Sequence, residues 1–239
     1  MDSWWWPANL LVASRLSKEL HSAVRRLALI VGFVALFLMA LAPFRAIAQD
    51  LREGPTIATI IGGNELRIPR NYFLPGGPKG GHQMDFLLTA LLPTLVSMRE
   101  DNMSEFLATR GFGRIITILA RDAGVTTTLE SRTAVGKNLG QPYDQKGDKF
   151  GLTDYVPKDF RGINDAQLRQ ELLLGVENGQ LVRYIRCNVD GSVPFPGCEH
   201  EFVYLNLFFT LGYGKTQLPK WRAIEDSIKR LFDRFGRYS

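Results

Sequence analysis

Leu172-Leu173-Leu174-Gly175-Val176-Glu177-Asn178-Gly179-Gln180-Leu181-Val182-Arg183-Tyr184-Ile185-Arg186-Cys187 is the stretch that decides the fold. Two runs rich in aliphatic and β-branched residues flank Asn178-Gly179, a pair suited to the left-handed backbone of a two-residue hairpin turn. Residues 172–176 and 181–187 are therefore expected to be adjacent antiparallel strands. A second connection, 188–197, carries Asp190-Gly191, Pro194, Pro196 and Gly197. It leads into 201–211, an almost wholly apolar run that reads as one central strand buried on both faces. The three segments are expected to pair as an antiparallel meander.

Cys187 and Cys198, the two cysteines of the chain, stand at the feet of that second connection. Opposed residues of an antiparallel pair lie about 4.5–5.5 Å apart, which a disulfide spans without strain. Closing the loop would stabilise the chain by about 3 kcal/mol through the entropy it removes from the unfolded state. A metal site built from Cys187, Cys198 and His200, with His82 as a fourth ligand, is the alternative use of these residues. It lacks the close paired spacing of zinc ligands and requires reduced thiols, so no metal and no cofactor is expected.

Beyond the sheet, residues 219–235 read as a helix, with Pro219 suited to its first turn. Trp221, Ile224, Ile228, Leu231, Phe232 and Phe235 recur at three- and four-residue steps and form one apolar stripe for packing on the sheet. Lys220, Arg222, Glu225, Asp226, Lys229 and Arg230 are expected on the solvent side. Gly214-Lys215-Thr216, between strand and helix, imitates the end of a phosphate-binding loop. That motif needs glycine five positions before Gly214, where Phe209 stands, so no nucleotide partner is expected.

Upstream of the meander the signals are shorter. Residues 56–61 and 65–69 flank Gly62-Gly63-Asn64 and suggest a hairpin. Residues 75–82 hold too many glycines and prolines for a regular element and read as a surface loop. The apolar run 84–92 before Pro93 favours a strand, 104–109 a helical turn capped by Ser104, and 114–120 a sheet strand. From 122 to 165 the chain is polar and broken by glycines, although 125–132 allows one more strand. This is the region expected to be most loop-like and exposed. Tyr143, Phe150, Tyr155 and Phe160 within it read as anchors packing the loop onto the core.

The N-terminus sets the expected compartment. The apolar run 27–44 follows Arg25-Arg26 and is followed by Ala46-Ile47-Ala48-Gln49, the charged start, apolar middle and small-residue exit of a secretory signal. As a helix its roughly 18 residues span about 27 Å, slightly short of a bilayer core, so a cleaved signal and an uncleaved membrane anchor both fit. Pro43 and the small Ala46 and Ala48 favour cleavage between Ala48 and Gln49. No cysteine follows for lipid attachment, and Arg25-Arg26 lacks a wider twin-arginine context. Residues 1–26 form a basic cytoplasmic region, unusually long for a signal. Trp4-Trp5-Trp6 would sit at a membrane interface, or else translation starts downstream near Val24. Positive charge before the run directs everything after Ala48 outward. The expected product is therefore periplasmic or secreted if cleaved, and anchored in the inner membrane through 27–44 if not.

The formal charge of +5 divides as +3 before Gln49 and +2 after it, so the basic balance is mainly a targeting feature. Without a basic stripe interleaved with aromatics, nucleic acid is not an expected partner. Residues 49–239 suffice for one exported domain. Its expected class is α+β: an antiparallel sheet with the amphipathic C-terminal helix on one face, preceded by the signal or anchor helix. Catalytic patterns are sparse. His200 is the weak candidate general base, with Asp85, Glu199 or Glu201 beside it. The favoured expectation is a non-enzymatic envelope protein that binds another envelope protein through 122–165 or the 187–198 loop. The alternatives are an inhibitor or immunity-type protein, and a hydrolase of cell-envelope material.

Overall fold

The Asn178-Gly179 turn forms as expected, with φ of 51° and 78°, and joins two strands of a large antiparallel sheet. A computed structural model describes residues 55–107, 111–125, 129, 143–157 and 169–236. The apolar run 27–44, the Ala48/Gln49 pair, Phe160 and most of the 125–132 stretch lie outside the described residues. Among the described residues, no helix is long and apolar enough to cross a membrane.

In chain order the strands are β1 (Thr56–Ile61), β2 (Asn64–Pro69), β3 (Gly81–His82), β4 (Asp85–Leu91), β5 (Ile115–Asp122), β6 (Tyr143–Lys149), β7 (Leu152–Pro157), β8 (Gln170–Glu177), β9 (Gln180–Asn188), β10 (Gly197–Tyr204) and β11 (Leu207–Gly214). Eight of them make one sheet in the order β4-β5-β11-β10-β9-β8-β7-β6. Every neighbouring pair in it is antiparallel. A three-stranded sheet, β2-β1-β3, combines the expected β1–β2 hairpin with a short parallel contact to Gly81–His82, inside the glycine-rich stretch read as loop. The helix Trp221–Gly236, entered through a 3-10 segment at Lys215–Lys220, completes the layers.

The core lies between one face of the large sheet, the C-terminal helix and the small sheet. Leu173, Ile185, Phe202, Phe209 and Leu211 from the large sheet meet Trp221, Ile228, Leu231, Phe232 and Phe235 of the helix, and Ile57, Ile61, Leu66 and Ile68 of the small sheet join them. Phe232 is the hinge of this contact, stacked on Phe86 and edge-on to Phe209. The opposite face of the sheet carries a smaller cluster of Leu129, Leu172, Leu174, Tyr184 and Phe208, against which Tyr143 and Tyr155 pack as the expected anchors.

Four expectations need correction. The run 201–211 is two strands rather than one, because Leu205 and Asn206 take φ of 49° and 57° and reverse the chain. Asn206 donates to the Gly62 carbonyl at 3.1 Å, and Asn64 to that of Leu205 at 2.6 Å, so two hairpin turns brace each other. The polar region 122–165 contains the β6–β7 hairpin, hidden because β6 is an edge strand whose residues 145–148 face water. Asn102 rather than Ser104 precedes the short helix Met103–Phe106. Finally, Glu225 lies on the buried side of the C-terminal helix, 2% exposed.

Candidate functional site

The site begins at the cysteines. Cys187 and Cys198 face each other in register across β9 and β10 and are joined, with S–S 2.03 Å and Cα–Cα 4.1 Å. Both sulfurs being used in this bond, the four-ligand arrangement with His200 and His82 does not form. Above the bond, the connection 188–197 is held from inside. Gly197 N–H donates to Asn188 Oδ1 at 3.0 Å, and Ser192 donates from its amide and hydroxyl to the Val189 carbonyl at 3.0 and 2.6 Å. Lys215 N–H donates to the Pro196 carbonyl at 2.9 Å.

Lys215, the lysine of the phosphate-loop imitation, is spent on the same loop. Its ammonium donates to the Asn188 carbonyl at 2.9 Å and pairs with Glu171 at 2.9 Å and Asp190 at 3.0 Å. Lys149 closes the other side of Glu171 at 2.8 Å. Asp154 joins this charged floor, its carboxyl pushed above the ordinary range first by burial and then by Glu171, against the pull of Lys149 and Lys215.

Over this floor opens a cleft of about 530 Å³. Phe112, Phe150, Phe195, Pro194, Pro196 and Pro219 supply its apolar walls. The Phe112 ring packs against the base of the β10–β11 hairpin because position 197 is glycine; a Cβ there would stand 2.4 Å from the ring. Gly111 likewise admits Phe195, whose ring would be 2.8 Å from a Cβ. Two of these rings remain open to solvent, Phe195 at 54% and Phe150 at 44%.

Phe150 is the unexpected member. With Gly151 it forms the β6–β7 turn at φ of 58° and 78°, a backbone that asparagine, aspartate or glycine adopts at less cost than a bulky aromatic. The Trp221 indole N–H fixes the turn by donating to the Phe150 carbonyl at 3.0 Å. A large apolar ring is thus presented to solvent from a position where local preference calls for a small polar residue.

His200 is positioned differently from the sequence expectation. It is fully buried on the helix side of β10, with Phe202, Tyr213 and Trp221 around it. The Tyr213 hydroxyl lies 3.3 Å from Nδ1, and Nε2 is 3.4 Å from Glu225 Oε2. Arg183 grips the Glu225 carboxylate with two donors, Nε at 2.7 Å and Nη2 at 3.0 Å, and Lys229 donates to it from one helical turn below. Burial alone would raise the Glu225 pKa, but the nearby His200 ring and the donors of Arg183 and Lys229 hold it down at about 2. Burial lowers the His200 pKa, outweighing the pull of Glu225, and Arg183 and Lys229 lower it further. The group is therefore a neutral imidazole beside an ionised carboxylate, sealed inside the core.

The expected acidic companions of His200 are elsewhere. Glu199 and Glu201 alternate to the opposite face of β10, where Glu199 pairs with Arg186 at 3.0 Å and Thr210 donates to Glu201 at 3.5 Å. Asp85 stands at the exposed start of β4. Sequence reasoning identified the loop between the cysteines but not its partners. Phe112, Phe150 and Lys215 reach it from three separate segments, and Glu225 was placed on the wrong side of its helix. The signal that could have located the turn is Gly151, a glycine directly after an aromatic, although the polar edge strand before it masks the pattern.

No protein-family model matches the sequence, and no curated protein does. Among solved structures, the chain is similar to an immunity protein of the Stenotrophomonas maltophilia type IV secretion system, at 18% identity and a TM-score of 0.55, covering 75% of this chain and 94% of that one. A second structure, the iron-regulated outer membrane lipoprotein FrpD of Neisseria meningitidis, is found at 12% identity and a TM-score of 0.47, covering 77% of this chain and 96% of that one. The first of these likenesses is one of fold: the two chains share an architecture.

Proposed function

We propose that this protein is an exported binding protein of the cell envelope, and that the cleft beside the Cys187–Cys198 loop is where another protein docks. The observation that carries the reading is the pair of exposed rings, Phe150 and Phe195, held at the rim of a 530 Å³ cleft by a disulfide, an internal hydrogen-bond network and a left-handed turn. Rigid aromatic anchors around a preformed pocket lose little conformational entropy on binding, and such residues dominate interface energetics. The secretory pattern of residues 27–49 supplies the compartment, and a disulfide belongs in an oxidising one. Within this reading the partner is a toxin or hydrolase that the protein holds inactive, the immunity-type role; the fold shared with the secretion-system immunity protein supports it. His200 serves as a structural residue, since its ring has no exposure to an incoming substrate.

Site-specific photo-crosslinking in the native host tests this. A crosslinking residue at position 195 is expected to trap one discrete partner band, whereas the same residue at the exposed Met84, outside the cleft, traps none. Equal trapping from both positions, or none from 195, would refute the docking site.

A further inference from the structure

The charges under the cleft do not contribute equally at its mouth. Two ammonium groups, Lys149 and Lys215, meet three carboxylates, Glu171, Asp190 and Asp154. Lys215 is only 11% exposed and divides its donors between Glu171, Asp190 and a carbonyl. Asp190, by contrast, is 82% exposed and uses Oδ1 for Lys215. Lys149 also lines the cleft, 30% exposed with its ammonium on Glu171, so the most exposed charge at the mouth is the Asp190 carboxylate, which shares the cleft with the open rings of Phe150 and Phe195.

Aromatic faces beside an accessible carboxylate suit one kind of occupant better than a purely apolar one. A ring face carries negative electrostatic potential and attracts a cation lying over it. The aliphatic stem of a long basic side chain packs on such rings while its head stays near water. We infer that the cleft receives an arginine or lysine side chain of the partner protein, its stem and head against Phe150 and Phe195 and its charge directed to Asp190. This rests on the docking reading above and adds the chemistry of what docks. An acidic segment would meet the Asp190 carboxylate and be repelled. An aliphatic side chain would fill the apolar walls but leave that carboxylate without a gain.

Three capped tripeptides, glycine-arginine-glycine, glycine-leucine-glycine and glycine-glutamate-glycine, separate these cases when titrated into the full chain with phenylalanine ring carbons labelled for NMR. The arginine peptide is expected to shift the Phe150 and Phe195 signals at lower concentration than the leucine peptide, and the glutamate peptide to leave them in place. In Asp190→Asn the arginine peptide is expected to bind about fivefold more weakly, in line with loss of one exposed ion pair, with the leucine peptide unchanged. Asp190 is a surface residue of a loop held by other bonds, and an unchanged melting temperature verifies that the variant folds. Leucine binding as tight as arginine, or arginine binding indifferent to Asp190→Asn, overturns the basic occupant while leaving the cleft as a docking site. Absence of any ring shift with all three peptides also overturns it, and crosslinking from position 195 then decides the docking reading independently.

Discussion

At the scale of single residues, the ionic group around Glu225 is where chemistry and stability are most tightly joined. A carboxylate 2% exposed is tolerated because Arg183 and Lys229 satisfy it. Removing it takes this carboxylate from Lys229 and leaves Arg183 with Glu177, and breaking a buried pair in this way costs about 3–5 kcal/mol. Glu225→Ala should therefore lower the stability measured by urea unfolding by about that amount, whereas a loss under about 1 kcal/mol would mean the group is solvated in solution. The neighbouring His200 makes stability depend on pH. Its folded pKa lies below the ordinary 6.5, so as pH falls through that value the unfolded chain takes up a proton that the folded chain refuses. Stability should decline from pH 7.5 to 5.5. Glu225 adds a second decline only below its ordinary 4.5, down to about 2. In His200→Leu the slope between pH 7.5 and 5.5 should flatten, whatever the absolute stability of the variant. An unchanged slope would show that His200 takes up its proton equally in the folded and the unfolded chain.

At the scale of elements, hairpin turns set the register of the sheet, and they differ in how visible they are. Gly62-Gly63 and Asn178-Gly179 consist of residues that prefer positive φ, so both hairpins were legible. Leu205-Asn206 lies inside an apolar run, and only its bracing by Asn64 and Gly62 explains why the chain reverses there. Phe150-Gly151 was obscured by the polar edge strand beside it. The C-terminal helix was legible because its stripe is long and periodic. Glu225 was not, since a carboxylate on the stripe's margin is read as solvated unless the arginine of another strand is known to meet it. The Phe150 turn gives a test specific to this scale. Phe150→Asn replaces a left-handed aromatic by a residue suited to that conformation and should stabilise the fold by about 1 kcal/mol, while weakening partner binding. Destabilisation instead would mean that the ring serves the core and is not displayed for binding.

At the scale of the whole molecule, the eight-stranded sheet divides its labour between its ends and faces. One face holds the helix and the ionic group, and beside the Cys187–Cys198 bond the strand ends and loops of β5, β6, β9 and β11 converge on the cleft. The disulfide loop was readable because two cysteines and a proline-rich connection coincide in sequence. The cleft was not, because Phe112, Phe150, Phe195 and Lys215 come from segments that only the strand order brings together. The central claim is that these rings bind a partner protein. The most direct test is the dissociation constant of the partner crosslinked from position 195, measured for the unaltered protein and for Phe195→Ala. The account predicts a loss of affinity of about tenfold or more with an unchanged melting temperature, as for an anchor residue at the centre of an interface. The same dissociation constant for both proteins would contradict it.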